Sequence, residues 1–263
     1  MELLDTIRRT AKAAINTLDD SEQEEAHPYA EEMLVTATKI FNQQLPNFQK
    51  EFPSVYPQEI PTKLPPLRQG LNHKITLKDS ELSIYRNEYR PIPVSKLTQL
   101  SKWLDEWKKT GIAVQGSAPY AAPIFGVPKK APGEIRWVIS LKERNKYTIR
   151  DYTPIPNQPI IRDHVASHPF RSKIDLSNAY YQVRVEPEDE IKHSTTAGQF
   201  GAWQIKVMLQ GDCNAPATMM RIMNTILLPY LGKFVWIYLD NILIFSNSYK
   251  EHLQHLQIGR AHV

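Results

Sequence analysis

Residues 234–246, Phe-Val-Trp-Ile-Tyr-Leu-Asp-Asn-Ile-Leu-Ile-Phe-Ser, leave the chain few choices. Two β-branched and aromatic runs flank a polar pair, Asp240 and Asn241. Such runs suit strands buried on at least one face. Asp-Asn between them predicts a tight hairpin, because Asn tolerates the left-handed backbone that a turn requires. The hairpin is open to two interpretations. One is a core element with a polar tip. The other is a rigid support that holds a carboxylate toward a divalent metal ion.

The chain of 263 residues is long enough for one large domain or two small ones. Its net charge of +4 leans toward a polyanionic partner. A single cysteine, Cys213, excludes an intrachain disulfide and a cysteine-built zinc site. No apolar run reaches the ~20 residues of a membrane span, so no membrane partner is expected. Neither a Gly-rich phosphate loop nor a Gly-x-Ser-x-Gly elbow is present.

Residues 1–45 read as helical, with Leu4, Ile7, Ala11, Ile15 and Leu18 at helical spacing. Pro46, Pro53, Pro57, Pro61, Pro65 and Pro66 then impose an extended path. A short strand is expected over 73–77. Residues 94–110 predict a helix capped by Ser95, with Leu97, Leu100, Leu104 and Trp107 on one face and Gly111 at its end. Strands over 124–127 and 135–140 flank a basic tip, so Lys129, Lys130 and Arg136 lie on or beside one hairpin. Basic residues so placed either form a solvated loop or grip phosphates. Residues 142–169 are polar and punctuated by proline. Asp175 lies in an apolar strand context, paired with Lys173 or Arg184 or holding a metal. A further hairpin is expected over 193–204. After it a Gly-containing loop feeds a helix whose face is Met219, Ile222, Met223, Ile226 and Leu227, with Asn214 as its cap. His252 and His255 fall at i, i+3, which suits a solvated helix face better than a metal pair without Cys or carboxylate partners.

Asp175 and Asp240 each end a predicted strand. If those strands are neighbours, two carboxylates converge, as in sites that bridge two Mg²⁺ ions about 3.5–4 Å apart.

The ordered motifs Val127-Pro-Lys-Lys, Ile135-Arg-Trp-Val-Ile, Asn145-Lys, Ile174-Asp-Leu-Ser-Asn-Ala-Tyr-Tyr-Gln-Val, Asn214-Ala-Pro-Ala-Thr and Tyr238-Leu-Asp-Asn-Ile-Leu-Ile-Phe-Ser resemble the reverse transcriptase of gypsy-type LTR retrotransposons. The resemblance covers residues 52–256 and implies an α+β right-hand polymerase fold with fingers and palm, the thumb missing. The residues themselves divide off a helical or linker segment over 1–50 and a Pro-rich lead-in over 51–90; the resemblance then implies fingers over 91–170 and palm over 171–257. Residues 258–263 read as a non-native tail. The resemblance makes Asp175 and Asp240 metal-binding carboxylates and Tyr180 a gate against the ribose 2′-hydroxyl. Gln210 and Gly211 would lie beside the incoming nucleotide. Lys129 or Lys130, with Arg136, would hold its triphosphate. The implied cofactor is Mg²⁺, two ions, with Mn²⁺ as a substitute. The implied partners are an RNA or DNA template with its primer and dNTPs. The implied location is intracellular: cytoplasm, virus-like particle or nucleus.

The pattern breaks at Asn241, where the family has a second Asp. It also breaks at Ser140-Leu-Lys, where the family has Asp-Tyr-Arg, and at Leu209-Gln-Gly-Asp-Cys, where it has Pro-Phe-Gly-Leu-Thr. Loss of one negative charge near two dications implies reduced activity. The alternative is an inert nucleic-acid-binding remnant of a decayed element.

Overall fold

The computed structural model describes residues 63–78, 90–116, 120–129, 133–176 and 178–261. The helices expected before residue 46, the prolines up to Pro61 and Lys130 lie outside the described residues. Residues 73–77 do not form a strand of their own. They make isolated bridges, His73 to Val185 and Leu77 to Thr148.

Helix α1, Leu97–Lys109, buries Leu100, Leu104 and Trp107, the face given by its spacing. Its start differs from expectation. A 3₁₀ turn over Val94–Lys96 places Ser95 inside the turn, and Lys96 takes the N-cap position without a side-chain bond. Strands β1 (Ala113–Gln115), β2 (Ala122–Pro128) and β3 (Ile135–Ile139) follow. β2 and β3 form the expected hairpin, with Val127 opposite Arg136. Gly126 faces Trp137 across this hairpin, and a Cβ there would meet Ile135 Cγ2 at 2.7 Å.

The proline-punctuated stretch contains two helices that its composition conceals, α2 (Lys142–Tyr147) and α3 (Gln158–Ala166). Pro159 lies in the first turn of α3, where its missing N–H costs nothing. Strand β4 is Phe170–Asp175. The expected hairpin then appears as β5 (Ser194–Thr196) and β6 (Ala202–Ile205), paired antiparallel. Helix α4 is Ala215–Leu227 and buries Met219, Met220, Ile222, Met223 and Leu227. Asn214 precedes it but makes no cap bond. Its amide instead donates to Ile149 O at 2.8 Å and accepts from Asp151 N at 3.0 Å, tying α4 to the segment between α2 and α3.

Strands β7 (Val235–Tyr238) and β8 (Asn241–Ser246) complete the strands, and α5 (Tyr249–Ala261) follows. Two sheets result. One runs β1-β6-β5-β2-β3, the other β4-β8-β7. Leu100, Leu104, Ile124, Trp137, Trp203 and Ile205 fill the core beside the first sheet. α4 packs against β7, while α3 and α5 pack against β8.

His252 and His255 are neither a metal pair nor a solvated face. His252 is buried and lies 2.8 Å from Ser172 Oγ and 2.9 Å from Ser246 Oγ. His255 stacks on Phe234 with ring centroids 3.9 Å apart. Among the described residues, no helix is long and apolar enough to cross a membrane.

Candidate active site

The turn between β7 and β8 is tighter than the residue types suggest. Tyr238 pairs with Asn241, so the two turn residues are Leu239 and Asp240. The positive φ of 59° falls on Leu239, not on Asn241, which is the first residue of β8. Leu239 N donates to Met220 Sδ at 3.2 Å, so α4 supports the turn from below. This contact with α4 helps hold a conformation that a branched residue seldom adopts.

Strand β8 is central. On its other side Asp175 pairs with Asn241, and Leu176 N donates to Asp240 O at 3.4 Å. The end of β4 and the tip of the β7–β8 hairpin therefore lie side by side. Asp175 is exposed, Asp240 and Asn241 are half-buried, and the Asn241 amide donates to Asp240 Oδ1 at 3.4 Å. Arg184 pairs with Glu190 at 2.9 Å rather than with Asp175.

Tyr180 belongs to the same group. Asn178 adopts φ 54° and opens a 3₁₀ turn over Ala179–Gln182 that carries Tyr180. Burial raises the Tyr180 hydroxyl above its usual pKa, and the charge of Asp240 raises it further. Tyr181, next in sequence, turns to the core and meets Trp107 edge-on at 5.6 Å. Its pKa is raised by burial and partly restored by the charge of Arg136. Arg136 is thus close enough to this turn to be felt electrostatically. Lys129 is exposed and pairs with Glu134 at 3.0 Å within its own hairpin.

Gln210 and Gly211 are exposed on the loop before α4. Gly211 has φ 111°, a conformation that disfavours a side chain. Asn145 of α2 clamps this loop, donating from Nδ2 to Gly211 O at 2.8 Å and accepting from Cys213 N at 3.3 Å. Asn145 stood in the sequence motifs without a role. A lone Asn in a polar stretch carries no signal for a contact 66 residues away.

The donor set at the hairpin tip is two carboxylates and one amide oxygen. Hard oxygen donors fit Mg²⁺, which takes one or two carboxylates and completes its shell with water and phosphate. Asn241 in place of a third carboxylate leaves less negative charge for a second dication. Among the described residues, no three His, Cys, Asp or Glu side chains form a closed metal cage.

Comparison with known proteins gives the family and the fold. Residues 127–263 match the family model described as Reverse transcriptase (RNA-dependent DNA polymerase). The Transposon Tf2-7 polyprotein of Schizosaccharomyces pombe is 31% identical over 214 residues, 81% of this chain and 16% of that protein. The Retrovirus-related Pol polyprotein from transposon 297 of Drosophila melanogaster is 33% identical over 179 residues, 66% of this chain and 17% of that protein. The chain thus spans about a sixth of the length of these relatives. The fold matches the Prototype Foamy Virus protease-reverse transcriptase with TM-score 0.70 and 22% identity, over 85% of this chain and 29% of that one. It also matches the foamy viral protease-reverse transcriptase in complex with RNA/DNA hybrid, with TM-score 0.70 and 17% identity, over 97% of this chain and 31% of that one. The described elements are therefore those of the fingers and palm region, and the chain belongs to the reverse transcriptase (RNA-dependent DNA polymerase) family.

Proposed function

We propose that this chain is the fingers-and-palm part of an LTR retrotransposon polymerase, built for RNA-directed DNA synthesis and weakened by Asn241. The observation that carries this is the register of β4, β8 and β7, which sets Asp175 opposite Asn241 at one end of one sheet, next to the turn that carries Asp240. The lead-in would cover 51–90, the fingers 91–170 and the palm 171–257, with 1–50 as a linker and 258–263 as a non-native tail. α5 runs through this last stretch as far as Ala261.

Each residue has a physical role in this reading. Asp175 and Asp240 would hold Mg²⁺, with Mn²⁺ as a substitute. The chemistry supplied by the metal when bound is activation of the primer 3′-hydroxyl and neutralisation of the leaving pyrophosphate. Tyr180, whose hydroxyl feels the charge of Asp240, would exclude a 2′-hydroxyl by bulk. Arg136, with Lys129 and Lys130, would neutralise the triphosphate. Gln210 and Gly211 would border the nucleotide. Positioning and electrostatics supply most of the catalysis in phosphoryl transfer. The partners would be a primed RNA or DNA template and dNTPs, in an intracellular setting such as a virus-like particle.

Asn241 favours a second reading, a nucleic-acid-binding remnant without catalysis. Primer extension separates the two. The Asn241→Asp variant should extend a primer much faster than the chain as it stands, and Asp175→Ala should abolish extension in both. Equal, robust rates for the parent chain and the Asn241→Asp variant would refute the impairment. Duplex binding that persists with no extension by any variant would favour the remnant.

A further inference from the structure

We propose that Arg144 and Asp212 are positioning residues that lock the loop over 209–213 and so fix where Gln210 and Gly211 stand. This rests on the reading of that loop as the neighbour of the incoming nucleotide.

Asp212 is 3% exposed, and a carboxylate so buried is costly unless both oxygens are satisfied. Arg144 Nη2, on a residue 2% exposed, contacts Oδ1. The Leu209 N–H donates to Oδ2 at 2.9 Å. The Asp212 N–H returns a bond to Leu209 O at 3.2 Å. One residue therefore closes a four-residue turn with both its side chain and its main chain. The two residues at the middle of that turn are Gln210 and Gly211, and both face solvent. Asn145, the residue after Arg144, holds the rim of the same loop through Gly211 O and Cys213 N. Two consecutive residues of the short helix α2 thus grip the buried base and the exposed edge of one loop.

The surroundings make the ion pair hard to replace. His193 Nε2 lies 3.2 Å from Asp212 Oδ2, and His73 Nε2 lies 3.7 Å away. Burial, and then the charge of Arg144, hold both imidazoles well below their usual pKa, so both are neutral near pH 7. The formal positive charge facing Asp212 is then that of Arg144. The aspartate also ties four separate chain segments together: the lead-in at His73, α2, the turn ending at His193, and the loop itself. A general core role would need only apolar packing. A buried charge that bonds to the backbone of the loop fixes a geometry as well.

The test compares three variants: Gln210→Ala, Asp212→Asn, and the double Arg144→Met with Asp212→Leu, which removes both charges together. Two quantities are measured on the full chain bound to a primed RNA template. One is amide hydrogen exchange at 209–213. The other is the affinity for a fluorescent dNTP with Mg²⁺. Gln210→Ala should weaken nucleotide affinity about tenfold, the equivalent of one lost hydrogen bond to a charged group. The double variant should melt close to the parent and bind primed template equally well. It should nevertheless exchange faster at 209–213 and lose nucleotide affinity by a similar factor. Parent-like exchange and nucleotide affinity in the double variant, with affinity lost in Gln210→Ala, would overturn the proposal. Unchanged affinity in Gln210→Ala would instead overturn the nucleotide reading, and exchange alone then decides whether the loop is braced. If the double variant does not fold, Asp212→Asn carries the same two measurements with the same deciding outcomes.

Discussion

Two groups of acidic side chains share this molecule and are built in opposite ways. At the hairpin tip, Asp175 is exposed and Asp240 half-buried, and Asp240 accepts from the neutral amide of Asn241. At the loop before α4, Asp212 is buried and faces Arg144, the Leu209 N–H and two imidazoles. The first leaves its oxygens open to solvent. The second is enclosed by charged and polar groups of the protein itself. The carboxylates at the sheet end are thus held by their backbone and left poor in side-chain partners. A carboxylate that braces a loop is enclosed and matched. The two kinds should respond to substitution in opposite ways.

The sharpest break comes from removing one partner of the enclosed group. Arg144→Met alone strands the Asp212 charge among neutral neighbours and should cost about 3–5 kcal/mol of stability. Urea unfolding should show it as a lowered midpoint at unchanged slope. The double change, Arg144→Met with Asp212→Leu, should return most of that loss. Asp175→Asn at the open group should leave stability within about 0.5 kcal/mol, as for an exposed side chain with no partner to strand. A similar loss in both groups would erase the distinction.

The open group should respond in rate rather than in stability. Asn241→Asp adds a charge at the position proposed to hold cations, and a single electrostatic contribution of this kind is worth on the order of 10²-fold in rate. Primer extension by both chains measures it. The same change places a third carboxylate beside Asp175 and Asp240, so without divalent cation the variant should be less stable than the parent. Added Mg²⁺ should remove that difference.

Much of this was legible in the residue order, and the misses have physical causes. The β-branched runs gave β7 and β8, and the apolar spacing gave α1 and α4. The turn residue was misassigned because Asn is the usual occupant of a left-handed position, while Met220 packs under Leu239 and fixes the register one residue earlier. Asn214 looked like a cap by position, but its amide has stronger partners in Ile149 and Asp151. Helices α2 and α3 lie among prolines, and composition does not reveal that Pro159 occupies a first turn. The Arg144–Asp212 pair was the least legible feature. Charged residues are assigned to the surface by default, and only the fold brings two so distant in the chain into one buried pocket.

Acidification should separate the enclosed group from the open one. His73 beside Asp212 has its pKa lowered from 6.5 to about 3, chiefly by burial and then by Arg144. His252 behind the hairpin sheet is lowered to about 4 by burial and by His255. A histidine that resists protonation when folded binds more protons when unfolded. Its stabilising contribution is therefore full above pH 6.5 and is lost as the pH falls toward the folded value. For His73 the loss reaches about 2 kcal/mol by pH 5, from 1.36 kcal/mol per pKa unit. Unfolding midpoints should be flat above pH 7.5 and fall between pH 7 and pH 4. His73→Gln should flatten part of that fall, and a slope unchanged by this substitution would place the titrating group elsewhere.

The smallest effect belongs to Lys129, which tests how far openness alone marks a functional charge. Its ammonium is exposed and pairs with Glu134 at 3.0 Å on the same hairpin. Such surface pairs contribute about 0–1 kcal/mol to stability, so Lys129→Ala should barely change the unfolding midpoint. If the lysine contacts a phosphate of the bound duplex or nucleotide, it must first leave Glu134, and the gain is reduced by that exchange. The expected signature is a change of about one unit in the slope of log affinity against log salt, with the loss of affinity largest at low salt. Glu134→Gln should act in the opposite sense by releasing the lysine, tightening binding most where screening is weakest. If both substitutions leave the salt slope untouched, Lys129 is a hairpin ornament held by Glu134. The phosphate-facing charge of the fingers would then fall to Arg136, whose field already reaches Tyr181 at the turn that carries Tyr180.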